Sequence, residues 1–143
     1  MITNDAGFEK TKNMVKSYKE QIEAEKKRFK EVVGLTEEQI KLAIEPMESY
    51  LRGLEEEIAE FIMISQYGYK KAHSLSELGR LLVATRIHFG LSQSDLASRL
   101  NVKVQQVHRD EKNEYYGSSI EKIDAVIRAL NAEVEITITP TEK

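Results

Sequence analysis

Within the segment "NVKVQQVHRDEKNEY" (101–115), Gln105, Gln106, His108, Arg109 and Lys112 bring five long hydrogen-bonding side chains together around one apolar anchor, Val107. A glutamine amide offers the paired donor and acceptor that an adenine edge requires, and an arginine fork matches guanine. On an α-helix Gln105 and Arg109 are four residues apart and share a face, with Lys112 one turn further on. Gln106 lies about 100° round the helix, where an adjacent base or a phosphate is in reach. These three residues, Gln105, Gln106 and Arg109, are the candidate base readers. Lys103, at the start of the helix, suits a phosphate, as does Lys112. Gln93, in the first turn of the preceding helix, is placed to hold the sugar–phosphate backbone. The alternative reading is an ordinary exposed helix.

The elements around this segment must present it. In "LSQSDLASRLNV", Ser92 is an N-cap, Asp95 completes its capping box, and Leu96, Ala97 and Leu100 point inward. Asn101 tolerates the left-handed conformation that stops a helix. A second helix of similar length follows after a short turn, held by few apolar contacts. That pairing suits a helix-turn-helix whose second member enters the major groove. Upstream, "SLSELGRLLVATRIHFG" predicts a helix from near Ser76, with Leu78, Leu81, Leu82 and Ile87 available to a core. Downstream, "SIEKIDAVIRALN" predicts another, carrying Ile120, Ile123, Val126, Ile127 and Leu130. Finally, "EVEITIT" alternates Val134, Ile136 and Ile138 with Glu133, Glu135, Thr137 and Thr139, the pattern of a half-buried β-strand. Such a lone strand needs a partner.

The first half is helical in pattern. Phe8, Val15, Ile22 and Phe29 are seven apart, with Thr11, Tyr18 and Val32 on companion positions and Glu25 breaking that second row. Gly34 ends this helix, and Thr36 with Gln39 forms a capping box that starts the next. Its row is Ile40, Ile44, Met47, Leu51, Leu54, Ile58 and Phe61. Pro46 either kinks that helix or begins a new one. The result is an αα-hairpin over residues 1–67, read as a structural element or, alternatively, as an arm that docks a partner or a second copy. A linker is expected at about residues 66–74, and the second domain at 74–143.

Bulk composition narrows the function. The 143 residues are 41% hydrophobic and 31% charged, with a net charge of −3. Residues 1–73 hold 12 Lys/Arg and 14 Asp/Glu, and residues 74–143 hold 9 and 10, so neither half is basic. Any nucleic-acid face must concentrate its positive charge locally. The absence of Cys excludes disulfides, thiolate metal sites and cysteine nucleophiles. His73, His88 and His108 share no metal-site spacing. The serines sit in caps and turns, none in a G-x-S-x-G setting, and no glycine-rich phosphate loop occurs. No enzyme activity, cofactor or metal is expected. No apolar run approaches the roughly 20 residues of a membrane helix, and "MITNDAGFEK" lacks a secretion signal. A cytoplasmic protein is expected.

"LSQSDLASRLNVKVQQVHRDEKN" resembles the Cro/XRE helix-turn-helix, whose pattern is roughly [ST]-Q-x-x-L-A-x-x-L-G-V followed by a recognition helix ending near a Glu. Ser92-Gln93, Leu96-Ala97, Leu100 and Val102 match in register, with Val107 and Glu111 at the aliphatic and acidic positions. The resemblance spans about residues 76–131. It implies that Arg86 pairs with Glu111. Asn101 stands in place of the usual Gly, and Asp110 where relatives often carry an aromatic or aliphatic residue. More weakly, the N-terminal hairpin, the Q-Q-V-x-R-x-E helix and Tyr115 or Tyr116 are similar to HigA-type antitoxins. The "IRALNAEVEITI" ending resembles HipB-type antitoxins, in which strands of two subunits pair. The resemblance therefore implies a mainly α protein. Its hairpin would precede a five-helix-type, lambda-repressor-like domain with a C-terminal dimerisation strand of Val134, Ile136 and Ile138. The expected function is sequence-specific binding of operator DNA by a homodimeric repressor, plausible as an antitoxin with a cognate toxin. An interaction module without DNA binding is the alternative.

Overall fold

The computed structural model describes residues 1–68 and 71–142. Tyr69 and Lys70, inside the expected linker, lie outside the described residues. The chain divides into two compact units, Met1–Gln66 and Tyr67–Lys143, and no helix among the described residues is long and apolar enough to cross a membrane.

The first unit is a helical hairpin. Helix α1 (Asp5–Arg28) is capped by Asn4, whose side chain accepts from the Gly7 N–H at 2.7 Å. Asp5 in its first turn and Lys26, Lys27 and Arg28 in its last complement the helix dipole. The chain then widens into a π-helical turn (Phe29–Val33) and stops at Gly34, whose φ of 80° favours a residue without a Cβ. Thr36 and Gln39 form the reciprocal capping box, and α2 (Glu37–Tyr67) runs through Pro46 without interruption. The apolar rows meet one another. Thr11 and Ile22 of α1 and Ile44, Leu54, Phe61 and Ile64 of α2 are buried, whereas Val32 is exposed. Phe8 stacks on Phe61 with ring centroids 4.9 Å apart, and Tyr18 meets Tyr50 edge-on at 5.0 Å. Lys19–Glu55 and Lys26–Glu48 extend the seam as ion pairs. From Phe8–Phe61 at one end to Lys26–Glu48 at the other, the α1 number rises as the α2 number falls, so the two helices are antiparallel.

The second unit holds a 3-10 turn (Leu75–Glu77), α3 (Leu78–His88), α4 (Gln93–Leu100), α5 (Val104–Lys112) and α6 (Ile120–Ala129). Leu82, Val83, Ala84 and Ile87 of α3, Leu96 and Ala97 of α4, Val107 of α5, Tyr115, and Val126, Ile127 and Leu130 at α6 form its core. Helix ends are specified locally. Ser92 and Asp95 make the reciprocal capping box of α4, with bonds from Ser92 holding the Asp95 carboxyl below its ordinary range. Asn101, at φ 55° and ψ 45°, closes α4 as the Val102 and Asn101 N–H groups donate back to the carbonyls of Ala97 and Ser98. Ser119 caps α6.

Two expectations need correction. The described residues contain four α-helices and a 3-10 turn in this unit, not five helices. Residues 133–142 form no strand. A strand exists only as part of a hydrogen-bonded ladder, and among the described residues no segment forms one with this tail. Val134, Ile136 and Ile138 are consequently exposed, the last at 91%.

Candidate nucleic-acid interface

Helix α5 packs on α4 and α3 through Val107 and Glu111, both buried. Those two residues are four apart and fix which side of α5 faces inward. The opposite side carries Gln105, His108, Arg109 and Lys112, all exposed, with Lys103 exposed at the N-cap. The candidate base readers Gln105 and Arg109 therefore project from the surface of this unit. Gln106 is half-buried on the flank.

Glu111 anchors the helix through a polar network inside the core. Arg86 Nε donates to Glu111 Oε1, and Arg86 Nη2 donates to Oε2 at 2.8 Å. The side chains are 2% and 1% exposed. Arg86 Nη1 also donates to the Leu91 carbonyl at 2.7 Å, tying the α3–α4 turn to the same point. Gln93 joins this network. Expected on the DNA backbone, the residue is instead 8% exposed and its Nε2 donates to Glu111 Oε2 at 3.1 Å. A buried carboxylate needs its lone pairs filled, and the glutamine amide at the first turn of α4 fills one.

Asp110 has a different place. Its carboxylate receives Lys122 Nζ of α6 at 2.7 Å through one oxygen, and Gln106 Nε2 at 3.0 Å through the other. Gln106 Oε1 in turn accepts from Arg109 Nη2 at 3.0 Å. Asp110, where relatives of the Cro/XRE type often carry an aromatic or aliphatic residue, is thus a half-buried partner of α6 through Lys122. The i, i+4 spacing of Gln106 and Asp110 was the available signal; the contribution of α6 was not visible locally.

The pairings also redistribute charge. Both acids of α5 are compensated, Glu111 by Arg86 and Asp110 by Lys122, while Glu114 lies 3.7 Å from Arg80. Lys103, Arg109 and Lys112 then leave the exposed side of α5 positive although the chain is net negative. Of the two tyrosines after α5, Tyr115 is buried in the core and Tyr116 is exposed. Burial, with the Glu111 and Asp110 carboxylates nearby, pushes the Tyr115 phenol well above its ordinary range. Among the described residues no group of His, Cys, Asp or Glu is placed to hold a metal ion.

No protein-family model matches the chain, and neither does any curated protein or solved structure.

Proposed function

We propose that the second unit is a Cro/XRE-type helix-turn-helix that binds operator DNA sequence-specifically and acts as a repressor. One observation carries this reading. Helix α5 is pinned from behind by Val107 and the Arg86–Glu111 pair, and it turns Gln105, Arg109 and Lys112 to solvent. A helix fixed on one side and furnished with amide and guanidinium tips on the other is what major-groove readout requires. Gln105 reads a base edge, Arg109 a guanine, and Lys103 and Lys112 grip phosphates. The polar back side favours this over a simple solvated helix, because a surface helix needs no buried ion pair to hold its orientation.

The reading includes a dimer. The tail residues 133–142 make no hydrogen bond among the described residues, and their alternation would place Val134, Ile136 and Ile138 on one face of a strand. Pairing with the same segment of a second copy would give each tail the ladder partner it lacks, and the two α5 helices of such a dimer would read half-sites about one DNA turn (~34 Å) apart. The hairpin, with Val32 and Leu42 more than three-quarters exposed, is then free to dock a toxin, as in an autoregulating antitoxin. The alternative, an interaction module that has lost DNA binding, keeps the same exposed residues without a duplex.

The test is a mobility-shift titration of the full chain against its own upstream region and a scrambled duplex. Retardation of the first at concentrations at least 100-fold lower supports the reading. Equal retardation, or none, refutes it.

A further inference from the structure

The four side chains Lys122, Asp110, Gln106 and Arg109 form one hydrogen-bonded line from α6 to the exposed face of α5. Its links measure 2.7, 3.0 and 3.0 Å. Resting on the DNA-binding reading above, we propose that Gln106 is not a base reader but a positioning residue. Through it, Asp110 and Lys122 hold the Arg109 guanidinium ready for a guanine edge.

The chemistry of the amide gives the line its direction. Gln106 presents its NH2 to a carboxylate and its carbonyl oxygen to a guanidinium. Turning the amide over would set NH2 against the cation and oxygen against the anion, so the flanking charges fix the orientation. Both bonds, one to a carboxylate and of the stronger charge-assisted kind, hold the Gln106 amide on the half-buried flank of α5, about 100° round from exposed Gln105. Gln105 carries no such bond and is exposed, which leaves it as the amide free for adenine.

Arg109 loses little by its tether. Guanidinium has five N–H donors, and the bond to Gln106 uses one, leaving enough for the two acceptors of guanine, O6 and N7. A long arginine pays rotamer freedom when it docks, and a tether present before binding lowers that cost. Asp110 also needs its own counter-charge, because a bare carboxylate beside a phosphate backbone repels it. Lys122 supplies this from α6, and the Asp110 side chain is only 17% exposed.

The experiment is selection of duplexes from a random library by the full-length wild type, Arg109→Ala, Gln106→Ala and Asp110→Asn. Competitive binding to the selected site and to its single-base variants follows, and thermal unfolding checks that each variant folds. The readout is the preference for guanine over the other bases at each position. Overall affinity is not the measure, since Asp110→Asn also removes a negative charge and tightens binding to any duplex. Gln106→Ala and Asp110→Asn should each lower guanine preference about tenfold, at the same base pair where Arg109→Ala abolishes it, within the range that a bidentate contact supplies. Adding Gln106→Ala to Arg109→Ala should change nothing further at that pair. Relaxed preference at a neighbouring pair in Gln106→Ala would make Gln106 a reader and overturn the proposal, as would unaltered preference in Asp110→Asn. A wild type that enriches no sequence would instead overturn the DNA-binding reading, and the positioning role with it.

Discussion

Arg86 of α3 and Glu111 of α5 face each other as a two-pronged ion pair with side chains 2% and 1% exposed. Charges this deep are costly to desolvate, and either one left alone costs more than the pair. Arg86→Ala or Glu111→Ala should each lower unfolding free energy by ~3–5 kcal/mol, read by urea denaturation. The double replacement Arg86→Met with Glu111→Leu should recover part of that loss, because an apolar pair of similar volume carries no desolvation cost, while the Gln93 amide and the Leu91 carbonyl lose the bonds they make to the pair. Single variants that lose under 1 kcal/mol would show that water reaches the pair.

Gly79 of α3 marks a close approach of backbone to backbone. A Cβ placed there would lie 1.6 Å from the Glu114 carbonyl oxygen. Glu114 and Tyr115 both hold positive φ, at 51° and 55°, and their turn brings that carbonyl onto the helix. No side-chain rotation relieves a clash with backbone, so Gly79→Ala should cost at least ~3 kcal/mol, at the upper end of overpacking effects. Gly53→Ala is the control. Nothing lies within 4 Å of a Cβ on Gly53 in α2, and there alanine should stabilise by ~0.5–1 kcal/mol. Equal effects in thermal unfolding would refute the close contact.

The sequence was most legible where a residue acts on its immediate neighbours. The Ser92–Asp95 and Thr36–Gln39 boxes and the left-handed Asn101 follow from side-chain-to-backbone chemistry over three or four residues, and all three are present. The hairpin rows were legible because helical periodicity is itself local, whereas the pairing of Phe8 with Phe61 across the two helices came from the structure. The Arg86–Glu111 pair spans 25 positions and came only through the family resemblance, since no periodicity links such distant residues. The bond from Gln93 to Glu111 was hidden for the same reason: the buried carboxylate that accepts it belongs to another helix, 18 positions away. Gly79 carried no local sign of its role, because Glu114 meets it from 35 residues away. The tail alternates as a strand should, but alternation specifies a face and supplies no partner.

Tyr115 should make stability fall at high pH. Burial first, then the Glu111 and Asp110 carboxylates, raise its phenol above the ordinary value, while Arg86 opposes them. A raised folded-state value means that the unfolded chain releases this proton first. The contribution is therefore intact below pH ~10, where the unfolded phenol titrates, and declines as pH rises further. The slope for one proton is about 1.4 kcal/mol per pH unit. Tyr115→Phe should be flatter than wild type by that amount between pH 10 and 11.5 in urea unfolding. Parallel curves would mean that the hydroxyl reaches solvent.

Lys103 and Arg109 should separate grip from readout. Lys103 is exposed at the N-cap of α5, and a phosphate contact carries no sequence information. Lys103→Ala should weaken selected and scrambled duplexes alike and reduce the slope of log affinity against log salt by about 1. Arg109→Ala should cost ~1–3 kcal/mol more on the selected site than on the scrambled one and relax discrimination at one base pair. If the two variants behave alike in titrations across salt concentrations, the division of roles is wrong.

The tail is the remaining test of assembly. A two-stranded ribbon alone is marginal in water, so pairing two tails requires an apolar surface under them. One begins at their root: a groove of about 540 Å³ lined by Leu78, Leu81, Phe89, Ile127 and Val134 among others. In a strand, Val134, Ile136 and Ile138 would share the face that covers it, while Glu135 and Thr137 would face water. In sedimentation, deletion of residues 133–143 should convert dimers to monomers. Ile136→Lys should do the same, by placing a charge in the apolar layer, whereas Glu135→Lys should leave the dimer intact. A truncated chain that still sediments as a dimer would move the interface to the hairpin, and sensitivity to Glu135→Lys in place of Ile136→Lys would reverse the faces of the strand.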